Sequence, residues 1–268
     1  MTGLPRMFSL RGKVALVTGG ARNLGFNMAA ALAAAGADVI VTSRELAAAQ
    51  AAAGQLKEQP GTDALALTLD QCDSGRVSAM FREALSWKGH LDIVVNNAGG
   101  GSGTSAAHLF ERDPADVEQM VRTNLTGTLH CCQEAGRIMG RQGRGKIINI
   151  ASIAGMIGRD RRMYERHGMK GQPADYAAAK AGVIGLTRDL AAMLAPHGVH
   201  VNAISPGGFA RDNLPGGFMR EYGDRTPLGR MGREEEDLNG AVVFLASPAS
   251  DYITGQNLVV DGGFSLWH

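Results

Sequence analysis

The sequence predicts an α/β fold with a single doubly wound parallel sheet of about seven strands and helices on both faces. Short β-branched or aliphatic runs alternate with alanine-rich helical stretches along the chain. Continuously apolar strands are typical of a parallel sheet that helices cover on both sides, and strict alternation favours right-handed crossovers. A (β/α)8 barrel is the competing arrangement, but it needs eight units and gives no reason for the glycines after the first strand.

The predicted elements follow from these runs in chain order. Strands are expected at 13–18, 38–42, 64–69, 91–96, 146–151, 199–204 and 257–260. Helices are expected at 24–35, 45–59, 75–87, 114–141, 174–195 and 233–246.

Two segments interrupt the alternation of strands and helices. Residues 157–172 are rich in charge and glycine, and residues 207–228 carry Pro215 and Pro227. Each follows a predicted strand, so each is expected at the carboxyl edge of the sheet, where ligands bind in open α/β folds. We predict that residues 1–268 form a single domain in which 157–172 is an inserted loop and 207–228 covers the substrate.

The composition excludes several classes of function. The formal net charge is +1, which gives no global basic field for nucleic acid or acidic lipid. No apolar run approaches the ~20 residues that span a bilayer, and the N-terminus has no apolar core typical of a signal peptide. We therefore expect a small-molecule substrate, and neither nucleic acid nor a membrane as partner.

Cysteine and histidine give no pattern typical of a disulfide framework or a metal site. The chain has an odd number of cysteines, and two of the three are adjacent: Cys72, Cys131 and Cys132. This pattern indicates small buried residues in a reducing compartment. No histidine falls into H-E-x-x-H or a zinc spacing with cysteine. The sequence therefore predicts a cytoplasmic protein without a metal.

A glycine-rich turn, V-T-G-G-A-R-N-L-G-F, joins the first predicted strand to an alanine-rich helix. Gly19, Gly20 and Gly25 permit a tight turn in which backbone amides and the helix N-terminus meet a pyrophosphate. Its place between a strand and a helix favours dinucleotide binding by a Rossmann-like sheet.

The second predicted strand ends without the acidic residue that binds the ribose of NAD. Ser43 and Arg44 stand there, and Arg22 adds a second cation from the glycine turn. Two guanidiniums suit the dianionic 2′-phosphate of NADP. NADP is therefore the preferred cofactor, and NAD is the alternative because Glu45 could still serve a ribose.

A tyrosine and a lysine stand one helical turn apart, Tyr176 and Lys180 in P-A-D-Y-A-A-A-K-A-G. Residues four apart share a helix face, so the phenol and the ammonium address one small volume. A nearby cation lowers a phenol pKa toward neutral pH, which makes the pair a candidate acid–base catalyst. Taken alone, the spacing favours an exposed amphipathic turn; its place in the chain reverses that interpretation.

Three motifs in this order resemble the classical short-chain dehydrogenase/reductase family over about residues 8–264. They are the glycine turn, N-N-A-G after the fourth predicted strand, and the tyrosine–lysine pair after the fifth. The family's T-G-x-x-x-G-x-G motif matches at Thr18, Gly19 and Gly25 but has Asn23 where its middle glycine belongs. Asparagine is well able to adopt a left-handed backbone, so the turn is expected to persist.

The resemblance implies a set of cofactor contacts. Asp70 matches the aspartate that contacts the adenine ring, and Asn96 and Ala98 would line the adenosine ribose. Asn97 and Gly99 would brace the edge of the sheet.

The turn near the nicotinamide is matched by Pro206 and Gly207. The threonine that usually follows is missing, so Ile204 or backbone groups would hold the carboxamide. The cofactor-binding set predicted from the motifs and the resemblance is Gly19, Arg22, Asn23, Leu24, Gly25, Ser43, Arg44, Asp70, Gln71, Asn97, Ala98, Gly99, Tyr176, Lys180, Pro206 and Gly207.

The resemblance also implies a catalytic tetrad of Asn124, Ser152, Tyr176 and Lys180. Tyr176 would exchange a proton with the substrate oxygen, and Ser152 would donate a hydrogen bond to it. Lys180 would lower the phenol pKa and bind the nicotinamide ribose. Asn124 would hold a water that connects Lys180 with solvent.

The loop before the tyrosine is longer than the family pattern, with 24 positions from Ser152 to Tyr176. From Arg159 to Lys170 it carries five basic and two acidic residues, a net charge of +3. This charge could recruit an anionic substrate such as a sugar acid or phosphorylated polyol, in particular through Arg161 and Arg162. A solvated or subunit-contacting loop is the alternative, and Met163 and Tyr164 could instead pack over the pocket.

The leading functional interpretation is an NAD(P)-dependent alcohol dehydrogenase or carbonyl reductase that acts on a small secondary alcohol or ketone. A sugar acid or polyol competes with a 3-oxoacyl thioester as substrate. A non-catalytic NADP-sensing regulator is the alternative of another class, but such a protein should lose the tyrosine or the lysine. A metabolic scaffold has no sequence feature in its favour.

The resemblance further implies a homo-oligomer, a tetramer or a dimer. The helices predicted at 114–141 and 174–195 would form one interface, and the C-terminal strand would form the other.

Overall fold

A parallel sheet forms the centre of the protein, a computed structural model that describes residues 3–100 and 108–267. Seven strands of this described part lie in the spatial order β3-β2-β1-β4-β5-β6-β9. The strands are β1 (Val14–Val17), β2 (Asp38–Ser43), β3 (Ala64–Thr68), β4 (Ile93–Asn96), β5 (Gly145–Ile150), β6 (Val199–Pro206), β7 (Phe209–Ala210), β8 (Gly232–Arg233) and β9 (Asn257–Val260). The predicted doubly wound sheet is confirmed. Its order reverses between β1 and β4, which is the place where such folds bind ligands.

Helices cover both faces of this sheet. Because successive strand residues point to opposite faces, Ala15 and Val17 pack on one side of the sheet and Val14 and Leu16 on the other. The helices are α1 (Leu4–Met7), α2 (Asn23–Ala34), α3 (Leu46–Lys57), α4 (Ser74–Lys88), α5 (Pro114–Val121), α6 (Gly127–Gln142), α7 (Arg161–Arg166), α8 (Ala174–Leu194), α9 (Gly216–Asp224) and α10 (Asn239–Ala246). Residues of α2, α3 and α10 form one apolar layer, and residues of α4, α6 and α8 form the other.

Two helix predictions need correction. The helix expected at 114–141 is interrupted between α5 and α6 by a π-helical turn, Arg122–Thr126. The helix expected at 233–246 begins only at Asn239, because Gly232 and Arg233 pair with β7 instead. The Asp237 carboxylate accepts the backbone N–H of Arg233 at 2.6 Å, which holds the intervening residues in a turn.

The two irregular segments lie beyond the ends of β5 and β6 and pack against each other. Segment 157–172 contains α7, and segment 207–228 contains α9. Met163 of α7 and Phe218 of α9 are buried in one apolar cluster, and the rings of Tyr164 and Phe218 are 5.1 Å apart. Both segments therefore lie at the carboxyl edge of the sheet.

The free cysteines lie in two environments. Cys131 and Cys132 are buried, as predicted, and burial raises the pKa of the Cys132 thiol to about 12. Cys72 is only half-buried. In the described part of the chain, no helix is long and apolar enough to cross a membrane.

Candidate active site

The turn between β1 and α2 has the geometry of an anion-binding turn. Asn23 occupies a left-handed conformation (φ +51°), as expected for the residue that replaces a glycine. It begins α2, whose N-cap residue, Arg22, is extended and makes no side-chain cap to the first amides. Uncapped helix amides carry partial positive charge, so this end of α2 fits a pyrophosphate.

Gly25 packs against the same turn so closely that a side chain does not fit. A Cβ atom at this position would meet the Gly19 carbonyl and lie 2.5 Å from the Asn97 side-chain nitrogen. We expect Gly25→Ala to lower the free energy of unfolding by about 1–3 kcal/mol, because the turn or the start of α2 must move. Urea denaturation measures this loss.

Gly54, exposed in α3, is the matched control for Gly25, since nothing lies within 4 Å of a Cβ there. Gly54→Ala should raise stability by up to about 1 kcal/mol through helix propensity. Equal effects of the two substitutions would contradict a packed turn.

The ends of β1 and β4 are joined through Thr18 and Asn97. The Thr18 hydroxyl accepts the backbone N–H groups of Asn97 and Ala98, both at 3.0 Å. The Asn97 side chain donates to the carbonyls of Thr18 and Gly19 at 3.1 and 3.2 Å. Asn97 therefore has the bracing geometry that the resemblance implied. Thr18 was missed as a site residue, although it opens the glycine motif.

Asn96 does not line a ribose, contrary to the expectation. Its side chain is buried and donates to the Asn149 carboxamide oxygen of β5 at 2.9 Å. The reason is the alternation of a strand, which sends the side chains of Asn96 and Asn97 in opposite directions.

The remaining predicted cofactor residues divide between exposed and partly buried positions. Arg22 and Arg44 are exposed, and neither forms an ion pair with any residue that the structure describes. The Ser43 hydroxyl accepts the backbone N–H of Glu45 at 3.2 Å. Leu24 packs against the apolar layer that contains α2.

Asp70 and Gln71 follow β3 and lie beside the end of β4. Asp70 accepts the backbone N–H of Cys72 at 3.0 Å. Gln71 is buried and donates to the Ala98 and Thr123 carbonyls at 2.9 and 2.6 Å. Its contacts position the chain after β4 and leave no exposed amide for a ligand.

Asn124 lies in the π-helical turn and is fully buried. Its carboxamide oxygen accepts the backbone N–H of Gly100 at 2.7 Å, and its nitrogen donates to the Met120 carbonyl at 3.1 Å. A Cβ at Gly99 would come within 2.7 Å of this oxygen and 3.6 Å of Lys180 Nζ. Glycine at 99 therefore lets the end of β4, the π turn and α8 meet; π turns are frequent at functional sites.

Tyr176 and Lys180 lie one turn apart at the start of α8, as predicted. Lys180 Nζ is 5.7 Å from the centre of the phenol ring and donates to the Ile150 carbonyl at 2.8 Å. Because the lysine is buried, its pKa is lowered to about 8.

The Tyr176 pKa differs from the expectation. Burial raises this pKa, and the opposing influences are a hydrogen bond with Ser152 and the charge of Arg159. Lys180 was expected to lower it, but its ammonium is directed to a backbone carbonyl. The structure therefore brings Ser152, Tyr176 and Lys180 together with a neutral phenol that can donate a proton.

Ser152 follows the end of β5, and its side chain caps the short turn after it. Its hydroxyl oxygen accepts the backbone N–H of Ala154 at 3.1 Å. This cap fixes the side chain at the strand end, and the hydroxyl hydrogen stays available for another acceptor.

The turn after β6 is held by a residue that sequence analysis missed. The Tyr222 hydroxyl of α9 accepts the backbone N–H of Gly208 at 2.6 Å, next to Pro206 and Gly207. Ile204 is fully buried in the sheet and so cannot hold a carboxamide. Only the backbone alternative for that role remains.

A second missed contact fixes the start of α8. Arg112 donates to the Asp175 carboxylate at 2.8 Å, and both side chains are buried. Asp175 directly precedes Tyr176, so this ion pair positions the phenol. Within residues 3–100 and 108–267, no group of three or more metal-ligating side chains is placed to hold a metal ion.

Comparison with known proteins identifies the class to which this fold and site belong. A family model described as Enoyl-(Acyl carrier protein) reductase matches residues 19–265. A 3-oxoacyl-(acyl-carrier-protein) reductase of Synechocystis sp. is 38% identical over 97% of this chain and 100% of the relative. A sorbitol dehydrogenase of Cereibacter sphaeroides is 38% identical over 95% of this chain and 98% of the relative.

Solved structures give the same result. A gluconate 5-dehydrogenase from Burkholderia cenocepacia J2315, in complex with NADP and tartrate, is 34% identical with a TM-score of 0.88. The match covers 98% of this chain and 99% of that one. The chain belongs to the short-chain dehydrogenase/reductase family and is an oxidoreductase. The fold, the glycine turn and the family identify NADP or NAD as its cofactor.

Proposed function

We propose that the protein transfers a hydride between NADP and a small secondary alcohol or ketone, with a sugar acid or polyol as the substrate class. One observation carries this proposal: Lys180 Nζ lies 5.7 Å from the centre of the Tyr176 ring, and Ser152 is close enough to oppose the rise of the phenol pKa. All three residues lie beyond the carboxyl end of β5, at the edge where open α/β sheets bind ligands. The reactive group of the substrate would sit against the phenol.

In the proposed mechanism, Tyr176 donates its proton to the carbonyl oxygen in reduction and accepts a proton from the hydroxyl in oxidation. Ser152 donates a hydrogen bond that strengthens as the oxygen becomes an alkoxide. Lys180, whose pKa is about 8, exchanges protons near neutral pH and supplies positive charge beneath the phenol. Asn124 holds the chain after β4 against the π-helical turn through Gly100. NADP supplies or accepts the hydride when bound.

The preference for NADP is supported by Arg22 and Arg44. Both are exposed at the end of the crevice where a 2′-phosphate would lie, and neither is paired with a described carboxylate. Exposed guanidiniums of this kind bind phosphate bidentately.

A 3-oxoacyl thioester is the second candidate substrate, because the 3-oxoacyl reductase relatives reach 38% identity. The small-substrate proposal is supported by the α7 and α9 segments, whose aromatic rings pack against each other beyond the ends of β5 and β6. The sorbitol and gluconate dehydrogenases match with comparable coverage.

The decisive experiment follows absorbance of the nicotinamide while NADPH or NADP is incubated with ketones, sugar acids, polyols and a 3-oxoacyl thioester. Turnover is expected with sugar acids or polyols. Turnover restricted to the thioester would favour the second candidate. Tight NADP binding without turnover of any compound would favour a non-catalytic, NADP-sensing regulator.

We also propose that residues 1–268 act as one dinucleotide-binding and catalytic domain, with 157–172 as the inserted loop and 207–228 as the substrate-covering segment. We further propose that the protein forms a homo-oligomer, either a tetramer or a dimer. This proposal is supported by large apolar side chains exposed on α8 and at the C-terminal end, namely Met193, Leu266 and Trp267.

A further inference from the structure

Part of the positive charge in segment 157–172 is neutralised within the protein, because Arg162 and Arg166 form ion pairs. The two carboxylates that take them up lie one in the segment and one in α9. Arg162, one of the two residues suggested for substrate recruitment, is exposed and forms a two-point ion pair with Asp160 at 2.8 and 3.0 Å. The ion pairs of these carboxylates are Arg162–Asp160, Arg225–Asp160, Arg225–Glu221, Arg166–Glu221 and His167–Glu221.

Two arginines of the segment differ from the others. Arg159 donates through Nη2 to the Pro173 carbonyl at 3.1 Å, and Arg161 donates through Nη1 to the Gln172 carbonyl at 3.3 Å. Among residues 3–100 and 108–267, no carboxylate lies within ion-pair distance of either guanidinium. Arg159 is half-buried, and its Nε and Nη1 donors have no acceptor in the described part of the chain.

The position of Arg159 is set by the helix that carries the phenol. Pro173 is the N-cap residue of α8, three positions before Tyr176. Burial raises the phenol pKa of Tyr176 and of Tyr164, and the nearby Arg159 charge opposes this rise, while burial of the guanidinium lowers the pKa of Arg159. A guanidinium partly removed from water and without a counter-ion is costly unless a ligand supplies one.

We propose that Arg159 binds a carboxylate of the substrate and that the site therefore selects small hydroxy or oxo acids over neutral alcohols and ketones. A planar carboxylate can take both free donors of the guanidinium in a fork geometry. Arg161 adds positive charge at longer range. The inference rests on the proposed hydride transfer, because it places the carboxylate next to the carbon that reacts at Tyr176.

The test compares gluconate with gluconamide, which differ in the charge of one group, by calorimetric titration of the NADPH-bound protein, in which neither compound can be oxidised. We expect gluconate to bind at least about tenfold more tightly, the value of a charged hydrogen-bonded pair. Arg159→Gln should reduce this preference to about equality, while Kd for NADP stays unchanged and shows that the variant is folded. Lys170→Gln removes an exposed charge from the same segment and should retain the preference.

Three results would overturn the proposal: equal affinity for acid and amide, no binding of either, or a wild-type preference in Arg159→Gln. Tighter binding of a phosphorylated polyol than of gluconate would likewise reject a carboxylate site. If Arg159→Gln does not fold, the acid-to-amide ratio of the wild-type protein still decides between these outcomes. Hydride transfer is assayed separately, so a neutral-substrate enzyme would refute the carboxylate site and leave the proposed chemistry standing.

Discussion

Tyr176→Phe is expected to lower kcat/KM by about 10²- to 10⁴-fold in both directions, since it removes the group that exchanges a proton with the substrate oxygen. The ring is retained, so the packing around α8 and the Kd for NADP should change little. Tyr252→Phe is the matched control, because that tyrosine is fully exposed and lies on the surface away from the crevice. Steady-state kinetics with NADP and the preferred substrate measure both variants. If Tyr176→Phe lowers kcat/KM by less than about fivefold, the phenol is not the proton donor of the reaction.

The same phenol fixes the sign of the pH dependence. Burial raises the pKa of Tyr176, so the phenol is protonated at neutral pH and ready to donate in reduction. Oxidation needs the deprotonated form, so its kcat/KM should rise with pH, and that of reduction should fall as the phenol ionises. Lys180 opposes this trend above its pKa of about 8, where its charge is lost. Profiles of the residual activity of Tyr176→Phe should lack the limb that belongs to the phenol.

The proximity of the candidate site residues could be predicted from the sequence because parallel strands end at one edge. Ser152 follows β5, and Asn97 follows β4. Order along the chain therefore translates into proximity. The tyrosine–lysine pair needed only the helical spacing of four residues. These features depend on local structure and on strand order. The alternation of apolar runs along the sequence indicates both.

Features that depend on side-chain partners could not be predicted in this way. The net charge of segment 157–172 suggested Arg161 and Arg162 as anion-binding residues, yet Arg162 is paired with Asp160. Asp160 also binds Arg225, which is 65 positions away in the chain. The raised pKa of Tyr176 likewise results from burial, which a pattern of neighbouring residues does not report.

The π turn around Asn124 is a further example. The segment 114–141 reads as one helix because its residues suit a helix throughout, and one extra residue in a turn leaves no compositional sign. The extra residue lets the Asn124 side chain meet the backbone of Gly100. A tertiary contact has here determined local structure.

The second large effect is expected at the adenosine end of the crevice. Arg44→Asp should change the ratio of kcat/KM for NADPH over NADH by about 10²-fold or more in favour of NADH. The substitution removes a guanidinium that suits the 2′-phosphate, and the new carboxylate repels that dianion. Loss of the charged hydrogen bond alone costs about 1.5–3 kcal/mol of binding free energy. It also supplies, directly after β2, the acidic acceptor for ribose hydroxyls that NAD-binding members of this fold use.

Arg82→Asp makes the same charge change on the exposed surface of α4 and should leave the ratio unaltered. Arg22→Ala should weaken NADPH binding without strengthening NADH binding, because it removes a cation from the turn and adds no acceptor. Fluorescence titration with each nucleotide separates these effects on binding from effects on the chemical step. An unchanged NADPH preference in Arg44→Asp would place the 2′-phosphate elsewhere. If the NADPH preference were lost in Arg22→Ala but not in Arg44→Asp, recognition of the 2′-phosphate would belong to the glycine turn.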